Sequence, residues 1–244
     1  MSEHAAIRCV GLGKRYGTVV ALAEVDLRVR CGEIFGIVGE NGAGKTTLIK
    51  CLLDFCEIDR GTVDILGVSN AMVHSRAVLA YLPERFNPPY YLTGTDFLRY
   101  MANLHGHRYD PTAAVATIKR LDLPTDALER PARTYSKGMA QKLALAACLL
   151  SGKDLYILDE PATGLDPRAR ALLKGELRSL REAGKTVFLA SHALADVDAL
   201  CDRIGVMHRG TLRFIGSPAE FKRHYDSSDI ETAFLACTSD TAMC

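Results

Sequence analysis

The chain has 244 residues, 48% of them hydrophobic, with 30 Lys and Arg against 29 Asp and Glu. That length suits one two-lobed unit able to bury most of its apolar surface. The even charge leaves no broad basic field, so a nucleic-acid partner is not expected. The apolar run Leu143–Leu150 is far shorter than the ~20 residues of a membrane-spanning helix and Met1-Ser2-Glu3-His4 has no signal-peptide layout, so a cytoplasmic location is expected.

Residues 5–12 and 19–30 alternate apolar and polar, which predicts antiparallel strands. Between them, Gly11-Leu12-Gly13 lacks the last glycine of a dinucleotide fingerprint and has no helix pattern after it. The apolar run Ile34–Val38 predicts a strand. It leads into Gly39-Glu40-Asn41-Gly42-Ala43-Gly44-Lys45-Thr46-Thr47, which fills G-x-x-x-x-G-K-[ST] and opens a helical pattern. Glycines in such a loop let backbone N–H groups turn inward on an anion. The helix N-terminus adds partial positive charge, Lys45 adds a full one, and Thr46 offers a hydroxyl to Mg²⁺. Strand, loop and helix together predict a nucleoside triphosphate site.

Strands are expected again at 61–67 and 78–82, the latter running into Pro83. From about 86 to 150 the pattern is helical. His105-Gly106-His107 reads there as a helix end rather than a metal site. Ser136 is a candidate N-cap, and Gly138 keeps the first turn of the next helix open to a ligand. Leu155–Leu158 predicts a buried strand ending in Asp159-Glu160, where Asp159 is placed to hold Mg²⁺ and Glu160 to polarise an attacking water. A helix follows Pro167, then a strand at 186–190 that delivers Ser191-His192 to the crevice where open α/β sheets bind ligands. A further helix starts near Ala193, a hairpin surrounds 208–210, and one weak helix pattern precedes a polar tail at 237–244. The eight cysteines show no C-x-x-C pair and read as core residues or free thiols. Alternation of this kind implies a parallel sheet wrapped by helices.

With these motifs in order, the chain resembles the ATP-binding-cassette ATPase subunits, over about residues 5–236. The resemblance implies an α/β P-loop NTPase (RecA-like) core with an N-terminal antiparallel β subdomain and an inserted α-helical subdomain. One domain would span 1–236, its core lobe at about 1–85 and 151–225 and its helical insertion at about 86–150. It implies ATP and Mg²⁺ as cofactors. Tyr16 would stack on adenine, Lys45 hold the β- and γ-phosphates, Thr46 and Asp159 hold the metal, Glu160 activate water and His192 hold the γ-phosphate. Ser136 and Gly138 would act on the ATP of a second subunit packed head to tail, in a homodimer or heterodimer.

Two positions depart from the usual pattern. Tyr135-Ser136-Lys137-Gly138-Met139 stands where Leu-Ser-Gly-Gly-Gln is common, and Glu84 stands where Gln is common. Both are similar to the ABC-2 type exporter branch, with Glu84 as a variant metal contact. The expected function is therefore the ATP-hydrolysing subunit of a membrane exporter, peripheral on the cytoplasmic face and bound to a separate transmembrane permease. Phe86, Tyr90 and Tyr91 are expected either to line the groove for that permease or to pack the insertion on the core. The alternative is a soluble ATPase of the same family serving a cytosolic assembly process.

Overall fold

The computed structural model describes residues 5–239. Two sheets share the chain. The first is antiparallel, in the order β2-β1-β4-β5, from β1 (Ala5–Tyr16), β2 (Val19–Arg30), β4 (Arg60–Ile65) and β5 (Val68–Ser69). The second is in the order β10-β9-β3-β8-β7-β6, from β3 (Ile34–Val38), β6 (Leu79–Leu82), β7 (Leu155–Asp159), β8 (Thr186–Ser191), β9 (Arg203–His208) and β10 (Thr211–Gly216). All its neighbours are parallel except the β9–β10 hairpin.

The central strands are buried on both faces, and their side chains alternate between two cores, as strand geometry dictates. Phe35, Ile37, Leu155, Ile157, Phe188 and Ala190 face the antiparallel sheet and α1 (Lys45–Leu52). Ile34, Val38, Tyr156, Leu158, Val187 and Leu189 face the other way. There they meet α5 (Pro167–Glu182) and α6 (Leu194–Leu200), as well as the helices between β6 and β7: α2 (Gly94–Leu104), α3 (Pro111–Arg120) and α4 (Lys137–Leu150). That helical stretch thus shares one continuous apolar core with the sheet. Gly36 allows the close approach of α6, since a Cβ there would lie 2.8 Å from Cys201 Sγ.

Some elements differ from the sequence-based expectation. β1 runs on to Tyr16 because register shifts around Gly11 and Gly13 let it bend and keep pairing. α7 (Pro218–His224) was not anticipated, although Ser217 and Glu220 form a full capping box and Pro218 occupies the first turn. α8 (Ile230–Thr238) passes the expected domain end at 236, and its Cys237 is buried rather than part of a polar tail. The remainder of that tail, 240–244, lies outside the described residues. His105 caps α2 and Gly106 takes φ +77°, a helix end as expected. Among the described residues, no helix is long and apolar enough to cross a membrane.

Candidate nucleotide-binding site

The phosphate loop connects β3 to α1 at the carboxyl edge of the parallel sheet. Gly42 and Gly44 adopt φ +83° and +109°, a region that non-glycine residues rarely enter. Gly39 lies against β9, where a Cβ would stand 2.5 Å from the Met207 carbonyl oxygen. The loop is clasped from outside as well: Gly210 N–H donates to the Ala43 carbonyl at 3.0 Å, and the Gly210 carbonyl accepts from Ala23 N–H at 2.8 Å. The β9–β10 turn therefore fixes the loop to β2.

α1 has no side-chain N-cap and no acidic residue in its first turn. Its leading N–H groups and dipole therefore face the cleft uncompensated, an arrangement suited to an anion. Lys45 bends back over the loop, its Nζ donating to the Gly39 carbonyl at 2.6 Å and the Glu40 carbonyl at 3.2 Å. Burial lowers its pKa, and the nearby carboxylates of Glu160, Asp159 and Glu84 act against that shift.

Around this loop lies a cleft of about 370 Å³. Of the expected site residues, it is lined by Glu40, Asn41, Gly42, Gly44, Lys45, Thr46, Thr47, Glu84, Asp159, Glu160 and His192. Gly39 and Ala43, in the same loop, are not among its lining residues. Val19, Val20, Ala21 and Thr163 also line the cleft and were not foreseen. Val19 pairs across the hairpin with Tyr16, and that tyrosine is half-exposed and not itself a lining residue.

Asp159 ends β7 almost fully buried. Burial and the adjacent charges of Glu84 and Glu160 raise its pKa to about 6, against opposing effects from Lys45 and the Thr46 hydroxyl. Glu160 takes φ +49°, which turns its carboxylate out of the strand direction. That turn is fixed at both ends, by Glu160 N–H to the Ala190 carbonyl at 2.9 Å and by Thr163 N–H to the Glu160 carbonyl at 3.0 Å. Its Oε2 lies 2.9 Å from His192 Nδ1.

Ser136 caps α4, accepting from Met139 N–H at 3.2 Å, but neither it nor Gly138 lines this cleft. The first turns of α4 abut the loop that follows Asp159-Glu160. A Cβ on Gly138 would lie 2.9 Å from the Gly164 carbonyl oxygen. One turn further on, the buried Gln141 donates from Nε2 to the Pro161 carbonyl at 3.1 Å. Sequence reasoning missed Gln141. The available signal was a polar residue at the start of an otherwise apolar helix, a position that requires a buried partner.

The ABC transporter family model matches residues 22–163, more than half of the chain. The chain belongs to the ABC transporter ATPase family. It is 38% identical over 206 residues to an uncharacterized ABC transporter ATP-binding protein of Synechocystis sp., covering 83% of this chain and 58% of that protein. It is 33% identical over 229 residues to the Nod factor export ATP-binding protein I of Ralstonia nicotianae, covering 90% of this chain and 70% of that one. Among solved structures, the ATP-binding subunit of an ABC transporter superposes with a TM-score of 0.84 at 28% identity, over 96% of this chain and all of that one. The chain thus spans about three fifths of the length of some curated relatives and 70% of others.

Proposed function

We propose that this chain hydrolyses ATP as the motor subunit of a membrane exporter, working as a head-to-tail dimer. The observation that carries the reading is the convergence of Lys45, Thr46, Asp159, Glu160 and His192 on one cleft at the carboxyl edge of the sheet. A phosphate cradle, a hard-oxygen metal face and a carboxylate beside it are the parts that water attack on a phosphoanhydride requires. Export is supported by the Nod factor export relative and by the Tyr135–Met139 and Glu84 variants.

The donor set fits Mg²⁺. Thr46 and Asp159 offer hard oxygen to one side of the cleft, with Glu84 on its wall. Among the described residues, no group of three His, Cys, Asp or Glu is arranged as a metal cage. Mg²⁺ takes one or two protein oxygens and completes its shell with phosphates and water. When bound, the ion would neutralise charge on the phosphates. The chain's own part is to present the Asp159 carboxyl at the strand end, to keep Glu160 turned toward the attacking water, and to place His192 against it. Glu84 accepts hydrogen bonds but does not donate them. Glu84→Gln keeps a side-chain oxygen able to face the metal and is expected to retain substantial ATPase activity, measured by phosphate release. An inactive variant with normal nucleotide binding would make Glu84 an essential carboxylate.

Ser136 and Gly138 support the dimer, because they have the chemistry of a phosphate contact yet lie away from their own cleft. Specific activity is therefore expected to rise with protein concentration until dimers saturate. A concentration-independent rate from monomers would overturn the shared site.

The rings after Glu84 divide between the two expected roles. Phe86 packs on Phe97, with centroids 5.3 Å apart, and joins the core. Tyr90 and Tyr91 are mostly exposed and meet edge-on, with centroids 5.4 Å apart. We assign this pair to the permease contact. Alanine at both positions is expected to abolish co-purification with a membrane subunit while leaving basal ATPase activity intact, and retained co-purification would overturn the assignment.

A further inference from the structure

Cys51 lies in the last turn of α1, and Cys56 lies just beyond, with their Sγ atoms 3.5 Å apart. Asp54, at φ +58°, reverses the chain and brings Cys56 back over the helix end. The Cys51 backbone is anchored, its carbonyl accepting from Asn70 Nδ2 at 2.7 Å and from Asp54 N–H at 3.2 Å. Cys51 is fully buried, whereas Cys56 is partly exposed.

The Tyr16 phenol has the Cys56 thiol as a neighbour, one that favours the protonated phenol. Lys14 Nζ covers the Tyr16 ring, 5.4 Å from its centroid, and is itself held by Asp59 at 2.9 Å. Asp59 also accepts from Arg15 N–H at 2.6 Å. The tyrosine is thus braced on one face by a pinned cation and has a thiol as a neighbour. Its hairpin partner, Val19, lines the nucleotide cleft.

We propose that Cys51 and Cys56 are an oxidisable dithiol whose closure to a disulfide by a low-molecular-weight disulfide draws the Cys56 sulfur toward Cys51, disturbs the seat of the neighbouring Tyr16 and weakens nucleotide binding. The consequence for nucleotide rests on the reading of Tyr16 as the adenine platform. The accessible Cys56 thiolate attacks one sulfur of the oxidant, and the expelled thiolate takes up a proton. Cys51 then gives up its proton and attacks the Cys56 sulfur, expelling the second small thiol. Two protein thiols lose two hydrogens, and one oxidant molecule becomes two thiols. The sulfurs must close by about 1.5 Å to reach the bond length of about 2.05 Å. Burial pushes the Cys51 thiol up to about 12, so the second step is slow at neutral pH.

Tryptic cleavage after Lys50 and Arg60 places both thiols in one peptide, residues 51–60. The full chain carrying Cys31→Ser, which removes an exposed competing thiol, is incubated with oxidised glutathione, alkylated and digested. The expected product is this peptide lighter by ~2 Da than its dithiol form and carrying no adduct. ADP affinity, measured by calorimetry, is expected to fall about tenfold on closure, within the range of one lost base stack, and to recover with dithiothreitol. Absence of the lighter peptide, or closure with unchanged ADP affinity, overturns the proposal. Tyr16→Ala separates the two readings. If it binds ADP as the parent does, the platform assignment fails and takes the proposal with it. If it weakens binding and oxidation weakens it further by the same factor, only the dithiol proposal fails. Supporting results are weaker ADP binding by Tyr16→Ala and no further loss on oxidation.

Discussion

Replacing Glu160 with Gln will lower steady-state ATP hydrolysis by about 10²–10⁴-fold, the span a positioned general base supplies, with nucleotide binding retained. Glutamine matches glutamate in shape. Its amide oxygen can still accept from His192 Nδ1 across the present 2.9 Å, so the local packing has no reason to change. What disappears is a basic oxygen able to take the water's proton. The φ +49° backbone and its two hydrogen bonds place residue 160 regardless of its side-chain charge. With hydrolysis blocked, the ATP-bound dimer should accumulate, visible as a shift to twice the monomer mass in size-exclusion chromatography with MgATP. Parental turnover by the variant would assign the base elsewhere.

Legibility in the sequence followed how local the controlling physics is. The phosphate loop, the Ser136 cap and the Asp159-Glu160 strand end could be read because each depends on residues within a few positions of one another. The continuous apolar runs likewise predicted β3, β7 and β8 nearly to the residue, since strands buried on both faces leave few other choices. What could not be read depends on contacts between distant segments. Gln141 acquires its meaning only from the Pro161 carbonyl twenty residues later. Val19 to Ala21 enter the cleft because Gly210, far along the chain, fixes β2 against the phosphate loop. Tyr16 turns toward Cys56 and Lys14, partners that no motif names. The missed α7 is a different case. Its Ser217–Glu220 capping box was present in the sequence, but the helix is only seven residues long and offers too little periodicity to register.

Asp159→Asn should move stability and binding in opposite directions. Without nucleotide this buried carboxylate faces Glu84 and Glu160, and its pKa stands at about 6, well above the usual carboxylate range. A folded-state pKa above the unfolded one means that the native state binds the proton more tightly. Ionised Asp159 therefore costs the fold stability above pH ~6, and that cost is relieved as pH falls from about 6 to about 4. Asparagine removes the charge at every pH. At pH 7.5 the variant should gain about 1–2 kcal/mol, raising Tm by roughly 2–6 °C without nucleotide. At pH 4.5, where the folded side chain is protonated but the unfolded one is still largely ionised, the difference should shrink to roughly a third, and it should vanish only below the unfolded pKa. With Mg²⁺ and nucleotide the order reverses, because the negative charge that is a burden in the empty cleft is what the metal needs. Mg²⁺-dependent nucleotide affinity should drop by at least the ~10–100-fold that losing even an outer-shell metal partner costs. Scanning fluorimetry with and without MgADP at the two pH values measures both arms. A parental Tm for the variant at pH 7.5 would show that the strain attributed to the three carboxylates is absent. The proposed metal role would then stand on the binding arm alone.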